Sequence, residues 1–373
     1  MTSPTPALLR RDTGDKLSPP TSVHPAAPGP IAVFVELTRG CNLCCPMCRQ
    51  ERASYSTTTM SASLFSRVAE QLFPTAAMVD LRGWGESLLL REFPSRALTV
   101  REHGCMLRIV TNLSFRNDVA LRALAESNAT VSVSLDSTDR EALRQVRGGA
   151  ELGLITANLA SLRAYYRDSG SDFNRVYIGA TVQRQTIGHM SGVVQAAAEQ
   201  GIRSVAFFPR QNQGDIHPLD DDERLRLLHD IEACHRVAER ACVNVRIGAK
   251  LWHGMRDNLP PFDFACVKPW SYCFVDYQGT VGFCDFLMGP GWEQHGIGSL
   301  IDQEFQELWN GRRWTEVRRR HLEGSLHTWP VTRSCEWCYT NRYVDFEDSV
   351  DARYAPRVLT PAAMLSAHQH IQT

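Results

Sequence analysis

Three closely spaced cysteines are the most reactive group in the sequence. The stretch CNLCCPMC places Cys41, Cys45 and Cys48 in a C-x3-C-x2-C pattern, with Cys44 as an additional thiol. Thiolates at such short spacing are typical ligands of zinc and of iron–sulfur clusters. Three thiolates on a four-iron cluster would leave one iron open to a small ligand. A zinc knuckle with four sulfurs is the alternative, although the adjacent thiols of Cys44 and Cys45 would strain a tetrahedral site.

A second group of four cysteines lies towards the C-terminal end. Cys266 and Cys284 bracket the segment CVKPWSYCFVDYQGTVGFC, in which a β-hairpin turning at YQGT would bring the two thiols together. Cys335 and Cys338 form a C-x2-C pair after the amphipathic segment FQELWNGRRWTEVRRRHL, for which we predict a helix. A hairpin, a helix and a returning cysteine pair predict one site with four thiolates, for an iron–sulfur cluster or for zinc.

The elements that must position these thiols alternate in type along the chain. Short apolar runs alternate with amphipathic stretches at helical spacing, which predicts strands in turn with helices. Strict alternation implies parallel strands with right-handed crossovers, and therefore an α/β fold, a partial (β/α)6 barrel. The loops at the carboxyl ends of the strands would form the active site. We predict strands at residues 31–37, 78–83, 107–112, 130–136, 176–183, 202–209 and 241–248, and helices at residues 64–73, 119–127, 154–166, 190–200 and 220–241.

Composition divides the sequence into four segments. Residues 1–29 are rich in Pro, Ser, Thr and Ala and have too little apolar surface to become ordered, so we predict a flexible tail. Residues 30–258 would form the barrel. Residues 259–345, which begin with a Pro-rich bridge, would form a small α+β domain around the second group of thiols. Residues 346–373 would form a C-terminal tail.

The overall composition is that of an ordinary globular protein. Hydrophobic residues make up 43% and charged residues 22% of the 373 residues. The formal net charge is -1, so there is no excess of positive charge that would indicate nucleic-acid binding. Arg10 and Arg11 are not followed by an apolar run, so the sequence predicts neither a signal peptide nor a membrane anchor. Twelve cysteines without a secretory signal indicate metal-binding thiols rather than disulfides. We therefore expect a cytoplasmic protein that binds neither nucleic acid nor a membrane.

The first cysteine loop, placed directly after the first strand, resembles that of the radical S-adenosylmethionine superfamily, and the resemblance extends over residues 31–345. It implies that Cys41, Cys45 and Cys48 hold a 4Fe-4S cluster whose open iron binds the amino and carboxylate groups of S-adenosylmethionine. One electron from the cluster would then break the sulfonium bond and yield a 5′-deoxyadenosyl radical. The family often has an aromatic residue before the third cysteine, where it packs on adenine. Met47 stands there, and its polarizable sulfur can make the same contact.

Three strand ends carry further positions that match the family. LRGWGES, after the second strand, resembles its Gly-Gly-Glu motif, which implies that Gly85 and Glu86 bind the ammonium group of the cofactor. SVSLDS, at the fourth strand, resembles its Ser-x-Asp sequence, which implies that Ser134 and Asp136 face the ribose hydroxyls and the methionine carboxylate. Asn112, which ends the third strand, is a comparable candidate. Without the resemblance, the glycine turn would be an ordinary loop and the strand-end polar residues helix N-caps.

The second group of thiols resembles the twitch domain, a shortened form of the SPASM extension of this superfamily. A full SPASM domain carries more cysteines after the C-x2-C pair, whereas this sequence has none after Cys338. The resemblance therefore implies one auxiliary 4Fe-4S cluster ligated by Cys266, Cys284, Cys335 and Cys338. Such a cluster has no open iron for a substrate, so electron transfer is its expected role. The expected cofactors are two 4Fe-4S clusters and S-adenosyl-L-methionine, with an external one-electron donor such as flavodoxin or ferredoxin as a partner.

The cysteine spacing is similar to that of twitch-bearing members such as the 2-deoxy-scyllo-inosamine dehydrogenases of aminoglycoside antibiotic biosynthesis. The resemblance implies hydrogen abstraction from a small-molecule substrate, a carbohydrate, aminocyclitol or nucleoside intermediate of secondary metabolism, with net oxidation as the auxiliary cluster accepts an electron. Alternatives are a redox-neutral epimerase, dehydratase or decarboxylase, a peptide-modifying enzyme, and an electron carrier without catalytic activity. Residues 1–29 are too short for the separate N-terminal recognition domain that peptide-modifying members often have.

Four residues are candidates for contact with the substrate. Gln183, Arg184 and Arg210 stand at the ends of the fifth and sixth strands, where they would contact a polyhydroxylated substrate or accept its proton. Cys273 lies between the ligands of the second site and would either pack as a small apolar residue or donate a hydrogen atom to a substrate radical. A thiol that faces the radical would favour epimerisation over oxidation.

Overall fold

The structure, a computed structural model, describes residues 29–48, 58–210, 219–248, 251, 255, 266, 268–287 and 293–340. The predicted tails, apart from Gly29, and the Pro-rich bridge lie outside the described residues. The described strands form a ten-stranded sheet, and the helices share its hydrophobic core. None of the described helices has the length and apolar character needed to cross a membrane.

The sheet has the strand order β10-β9-β8-β1-β2-β3-β4-β5-β6-β7. Its strands are β1 (Ala32–Val35), β2 (Met78–Asp80), β3 (Met106–Thr111), β4 (Thr130–Ser134), β5 (Val176–Val182), β6 (Ser204–Pro209), β7 (Asn244–Ile247), β8 (Tyr272–Val275), β9 (Thr280–Gly282) and β10 (Gly298–Ser299). Strands β1 to β7 run parallel, and β8 pairs in parallel with β1 before β9 and β10 continue in antiparallel pairing. The carboxyl ends of β1 to β8 therefore meet at one edge.

Helices lie between the parallel strands and again after the hairpin. The first seven are α1 (Ala62–Leu72), α2 (Phe93–Glu102), α3 (Asp118–Glu126), α4 (Arg140–Val146), α5 (Leu152–Asp168), α6 (Met190–Glu199) and α7 (Asp221–Ala241). The C-terminal helices are α8 (Lys268–Ser271), α9 (Phe305–Trp309), α10 (Arg312–Glu323), α11 (Pro330–Arg333) and α12 (Cys335–Thr340). Helix α1 starts at a preferred N-cap residue, since the side chain of Ser61 accepts a hydrogen bond from the amide of Leu64.

The predicted α/β fold is confirmed, because each predicted strand and helix of the barrel has its counterpart in the structure. Helices α2 and α4 have no counterpart in the prediction. The sheet also continues across the predicted domain boundary, since β8 pairs with β1. The single helix predicted over FQELWNGRRWTEVRRRHL is wrong: α9 and α10 are separate, and the chain turns at Gly311, where a Cβ atom would lie 2.5 Å from the carbonyl oxygen of Glu307.

The two faces of the sheet differ in character. Val33 and Leu107 belong to the hydrophobic core that the strands share with the helices. Alternate residues point to the opposite face, because side chains alternate along a strand. There the guanidinium of Arg108 donates to Asp80 Oδ2 at 2.8 Å and to the Tyr177 hydroxyl at 2.7 Å. We call the face that carries Asp80, Arg108 and Tyr177 the inner face of the barrel.

Candidate active site and second thiol site

Backbone hydrogen bonds hold the loop of the first cysteine group after β1. The amide of Cys44 donates to the carbonyl of Gly148 at 2.8 Å, and the amide of Cys48 donates to the carbonyl of Cys45 at 3.0 Å. Cys44 is exposed, whereas Cys41, Cys45 and Cys48 are half-buried. Exposure therefore separates Cys44 from the three predicted ligands, although its backbone anchors the loop.

Burial makes the thiols of this loop hard to ionise on their own. It raises the pKa of Cys41 to about 12 and that of Cys45 to about 11. The charges of neighbouring thiols raise both values further, since Cys48 lies within electrostatic range of each. A metal that displaces the thiol proton is the usual way to obtain thiolates in such a place.

The predicted glycine turn packs directly against the cysteine loop. A Cβ atom on Gly85 would lie 2.4 Å from the carbonyl oxygen of Gly40 and 2.5 Å from that of Thr38. The amide of Glu86 donates to the same Gly40 carbonyl at 2.8 Å. Only a residue without a side chain fits here, so the Gly85 position serves the close approach of two backbones.

Glu86 and Asn112 meet beside this turn. The Glu86 carboxylate accepts hydrogen bonds from the backbone amide of Asn112 at 2.8 Å and from the hydroxyl of Thr111 at 3.0 Å. Burial raises the pKa of Glu86 to about 7. The side-chain amide of Asn112 donates to Asn42 Oδ1 at 3.0 Å and lies 3.9 Å from Cys41 Sγ. The structure thus brings both predicted residues next to the cysteine loop. The Glu86 carboxylate, however, already binds the end of β3.

Asp136 is held by an arginine that the sequence analysis missed. Its carboxylate accepts two hydrogen bonds from Arg147, at 2.8 and 3.0 Å, and one from the amide of Thr181 at 2.7 Å. The charge of Arg147 lowers the pKa of Cys45 against the effect of burial. Ser134 is buried at the end of β4, two residues before Asp136. Asp136 therefore fixes a cation beside the cysteine loop, and the only sequence signal was the Arg-Gly-Gly that follows α4.

Two predicted residues with different predicted roles are in contact. Gln183, which is buried directly after β5, donates from Nε2 to the Met47 sulfur at 3.7 Å. Arg210 follows β6, where its amide donates to the carbonyl of Val182 at 3.0 Å. The structure thus places Gln183 beside the predicted adenine contact, whereas Arg210 follows the neighbouring strand.

Cys273 lies on the helix side of the sheet. It pairs with Val33 and belongs, like Val33, to the hydrophobic core, while its neighbours Tyr272 and Phe274 point the other way. The side chain is fully buried, and burial raises the pKa of its thiol well above the usual value. This position supports the packing interpretation and does not support the hydrogen-atom donor.

Four thiols come together in the C-terminal part of the structure. Cys284 follows the hairpin of β8 and β9, in which Gly279 has a φ of 89°. Cys335 and Cys338 lie on one turn of α12. Burial raises the pKa of both well above the usual value, and the charges of Cys284 and Cys266 raise it further. The four thiols predicted to form the second site therefore lie within electrostatic range of one another.

A partly buried ion-pair network joins this second site to the barrel. The ammonium of Lys268 lies 2.8 Å from Asp285 Oδ1 and 4.0 Å from Cys284 Sγ. Arg82, after β2, donates to Asp285 Oδ2 at 3.3 Å and pairs with Asp80 at 3.2 Å. Burial alone would raise the pKa of Asp285, but the charges of Lys268 and Arg82 hold it well below its usual value. Sequence reasoning missed this network, because Arg82, Lys268 and Asp285 come from three separate segments and only the pairing of strands brings those segments together.

Both sets of donors fit iron–sulfur clusters. In the part of the chain that the structure describes, no three His, Cys, Asp or Glu side chains converge as the ligands of a metal ion do. A cubane cluster carries its own iron and sulfide between its cysteine ligands, so its thiolates need not meet at one point. Three half-buried thiols suit a cluster with one open iron, and four thiols, three of them buried, suit a closed one.

Comparison with known proteins identifies both parts of the chain. Residues 35–184 match the Radical SAM superfamily, and residues 266–339 match SPASM, an iron–sulfur cluster-binding domain. The mycofactocin maturase MftC of Mycobacterium tuberculosis (strain ATCC 25618 / H37Rv) is 22% identical over 347 residues, 90% of this chain and 82% of that protein.

One further relative and one solved structure have similar coverage. The tungsten-containing aldehyde ferredoxin oxidoreductase cofactor-modifying protein of Pyrococcus furiosus is 28% identical over 334 residues, 83% of this chain and 89% of that protein. The solved structure of anSMEcpe with bound AdoMet has the same fold, with a TM-score of 0.60 at 16% identity, and the match covers 92% of this chain and 99% of that chain.

The fold and the two family matches define the class of this protein. It is a radical S-adenosylmethionine enzyme with an iron–sulfur cluster-binding domain of the SPASM type. Its cofactors are two 4Fe-4S clusters and S-adenosylmethionine, so the predicted cofactors are confirmed and the zinc alternatives are not supported. The finer resemblance to 2-deoxy-scyllo-inosamine dehydrogenases stays a prediction.

Proposed function

We propose that this enzyme oxidises its substrate by removing a hydrogen atom, then a proton and an electron. Cys41, Cys45 and Cys48 would hold the cluster, which when bound would supply the electron for the cleavage of S-adenosylmethionine to the radical that takes the hydrogen atom. The observation that supports net oxidation is the closed second site. Its thiols leave no position for a substrate, and three of them are less than 10% exposed, so its role is to accept the electron. The proton leaves to a base or to water.

The residues around the cysteine loop suit the polar end of S-adenosylmethionine. Arg147, whose side chain is 11% exposed and fixed by Asp136, offers its charge to the methionine carboxylate. Asn112 offers an amide beside Cys41, and Ser134 offers a hydroxyl at the end of β4 for the ribose. The backbone of the glycine turn at Gly85 is proposed to bind the ammonium group. Glu86 would then act mainly by holding the end of β3 in place.

Met47 and Gln183 are proposed to bind the adenine ring together. A polarizable sulfur can pack on a purine face, and an amide next to it can hydrogen-bond to a purine edge. This assigns Gln183 to the cofactor. Arg210 stays the candidate for contact with the substrate, because it follows the next strand of the sheet.

The inner face of the barrel offers polar groups to a small polyhydroxylated substrate. Arg82, with its side chain 25% exposed, lies over the Phe34 ring at 4.5 Å and pairs with Asp80. Arg108 and Tyr177 are buried and hydrogen-bond to each other, and Arg108 also holds Asp80, so they support Arg82 rather than reach a ligand themselves. The partly exposed guanidinium of Arg82 suits the hydroxyl groups of a carbohydrate, aminocyclitol or nucleoside. We propose that the substrate lies against this face, between the two thiol sites.

A peptide side chain is the second candidate substrate, and the comparisons favour it. MftC is a maturase of mycofactocin, and anSMEcpe has been solved with bound peptides. The same polar inner face can hydrogen-bond to a peptide backbone. A redox-neutral epimerisation is supported less well, because it needs a hydrogen-atom donor and Cys273 lies on the helix side of the sheet.

Anaerobic reconstitution of the wild-type chain and of a Cys335→Ala/Cys338→Ala variant tests the oxidation. The wild type should bind about eight irons and the variant about four per chain. Both should release 5′-deoxyadenosine from S-adenosylmethionine under reduction. With substrate, only the wild type should form a product that has lost two hydrogen atoms. A product of unchanged mass, formed equally well by the variant, would overturn the proposal.

Deuterium transfer distinguishes the two substrate classes. Perdeuterated sugars, aminocyclitols and nucleosides form one set of assays, and synthetic peptides encoded by neighbouring genes form the other. Deuterium should appear in 5′-deoxyadenosine only with the true substrate class. Transfer from peptides alone would replace the small-molecule proposal with the second candidate and leave the oxidation test as it stands.

A further inference from the structure

Lys268 is an unusual residue in this chain. It is one of three lysines among the 40 basic residues, and its side chain is 10% exposed. Its ammonium lies 4.0 Å from Cys284 Sγ, 2.8 Å from Asp285 Oδ1 and 4.7 Å from the centre of the Tyr272 ring. A buried ammonium in direct reach of a thiol is a strong local source of positive potential, because lysine carries a compact charge.

The position of this ammonium is fixed from two sides. Asp285 holds it by a salt bridge and is itself held by Arg82 of the barrel. The backbone next to it is held by α10, since Arg318 and Trp314 both donate to the carbonyl of Pro269, at 2.9 and 2.8 Å. The ion pair and the anchored backbone together hold the ammonium next to the sulfur.

The charge of Lys268 acts on the whole second site. The ammonium lies 4.0 Å from Cys284 Sγ, and Cys335 and Cys338 lie within electrostatic range of Lys268. A cluster with four thiolate ligands is an anion, and its reduction adds one more negative charge. A fixed cation stabilises the more negative state more strongly, because Coulomb attraction is proportional to the charge. Hydrogen bonds to sulfur and nearby charge are also known to set cluster potentials.

We propose that Lys268 is a positioning residue that raises the reduction potential of the auxiliary cluster and so makes that cluster the electron acceptor of the reaction. The proposal deepens the proposed function and rests on its assignment of Cys266, Cys284, Cys335 and Cys338 as ligands. Lys268 touches neither the substrate nor the reacting atoms. It acts through the cluster, and Asp285 moderates its effect.

The test is a potentiometric titration, monitored by electron paramagnetic resonance, of the full chain with Cys41→Ala, Cys45→Ala and Cys48→Ala, so that only the auxiliary cluster gives a signal. Lys268→Met should lower the equilibrium constant for reduction at least tenfold, a fall of about 59 mV for one electron. Lys268→Arg keeps the charge and should retain most of the potential. Arg313→Met removes an exposed cation of the same domain and should shift the potential by less than a third as much.

A second variant should shift the reduction potential in the opposite direction. Asp285→Asn removes a negative charge next to the ammonium and should raise the potential. An unchanged potential in Lys268→Met, or a shift equal to that of Arg313→Met, would overturn the proposal. If Lys268→Met does not retain iron, the Asp285→Asn variant decides the question. A reduction potential equal to or lower than that of the parent chain would then overturn the proposal. No substrate is needed, so this result is independent of whether the enzyme oxidises the substrates proposed above.

Discussion

The two thiol sites of this enzyme differ in how deeply their cysteine side chains are buried. At the first site Cys41 and Cys45 are half-buried on a loop held by backbone hydrogen bonds. At the second site Cys335 and Cys338 are 6% and 8% exposed and lie on a helix that packs against its neighbours. The first site thus leaves more room for a small molecule than the second, for which we propose electron transfer.

Both sites pair a cation with a carboxylate, but the cations differ. Arg147 with Asp136 lies beside the open site, and Lys268 with Asp285 lies beside the closed one. The planar fork of arginine can hydrogen-bond to an aspartate and still offer N–H groups to an incoming carboxylate, whereas lysine is a point charge. The open site therefore has a cation suited to ligand binding, and the closed site has one suited to setting an electrostatic potential.

The largest expected effect is the difference in iron content and 5′-deoxyadenosine release between a Cys45 variant and a Cys44 variant. Cys45→Ala removes a ligand of the open cluster, so the chain should bind about four rather than about eight irons and release no 5′-deoxyadenosine. Cys44→Ser changes an exposed thiol and should leave both measurements close to those of the wild type. Iron counting and chromatography of 5′-deoxyadenosine check this. Loss of the open cluster in Cys44→Ser would show that Cys44 is also needed to bind it.

Arg147 tests whether the cation of the open site binds the cofactor. Arg147→Met should weaken binding of S-adenosylmethionine roughly 10- to 100-fold, because a charged hydrogen bond contributes about 1.5–3 kcal/mol. It also leaves the buried carboxylate of Asp136 without its partner, at a cost of about 3–5 kcal/mol in stability. The Arg147→Met/Asp136→Asn pair removes that second effect. Calorimetric binding to this double variant as tight as to the wild type would argue against the role.

Close backbone packing distinguishes the open site in a second way. Gly85→Ala places a methyl group against two carbonyl oxygens and should lower the free energy of unfolding by about 3 kcal/mol. The matched control is Gly153→Ala in α5, where a Cβ atom meets nothing within 4 Å, and this change should raise stability by about 0.5 kcal/mol. Urea unfolding measures both. Equal stabilities would mean that the glycine turn can move away from the cysteine loop.

The smallest effect concerns His321, which packs against Phe283 and Trp270 near the closed site. Burial lowers its pKa from 6.5 to about 4, so the unfolded chain takes up the proton first as the pH falls. The free energy of unfolding should therefore drop between about pH 6.5 and pH 4, by about 1 kcal/mol on going from about pH 7.5 to 5.5. His321→Phe should remove this part of the pH dependence. Identical slopes in urea unfolding of the two chains would contradict it.

Several features of the fold and the sites were predictable because they are local. Apolar runs in alternation with amphipathic stretches predicted β1 to β7, and the spacing of Cys41, Cys45 and Cys48 predicted a cluster loop. The Gly85 position was predicted for its exposed backbone, and the structure added the close contact that requires a glycine. The break at Gly311 was missed, because the amphipathic pattern continues through it, although Asn310-Gly311 is a turn-forming pair and a Cβ atom at position 311 would meet the Glu307 carbonyl.

The sequence by itself determined the strands and most helices of the barrel and predicted which thiols belong to each site, since ligand spacing, turn residues and hydrophobic period are properties of short segments. Only the tertiary structure decided that Arg147 lies beside Cys45, that Lys268 lies beside Cys284, and that Cys273 faces the helices. The reason is physical. These neighbours come from separate segments, and their contacts depend on how strands pair and side chains pack, which no local pattern encodes.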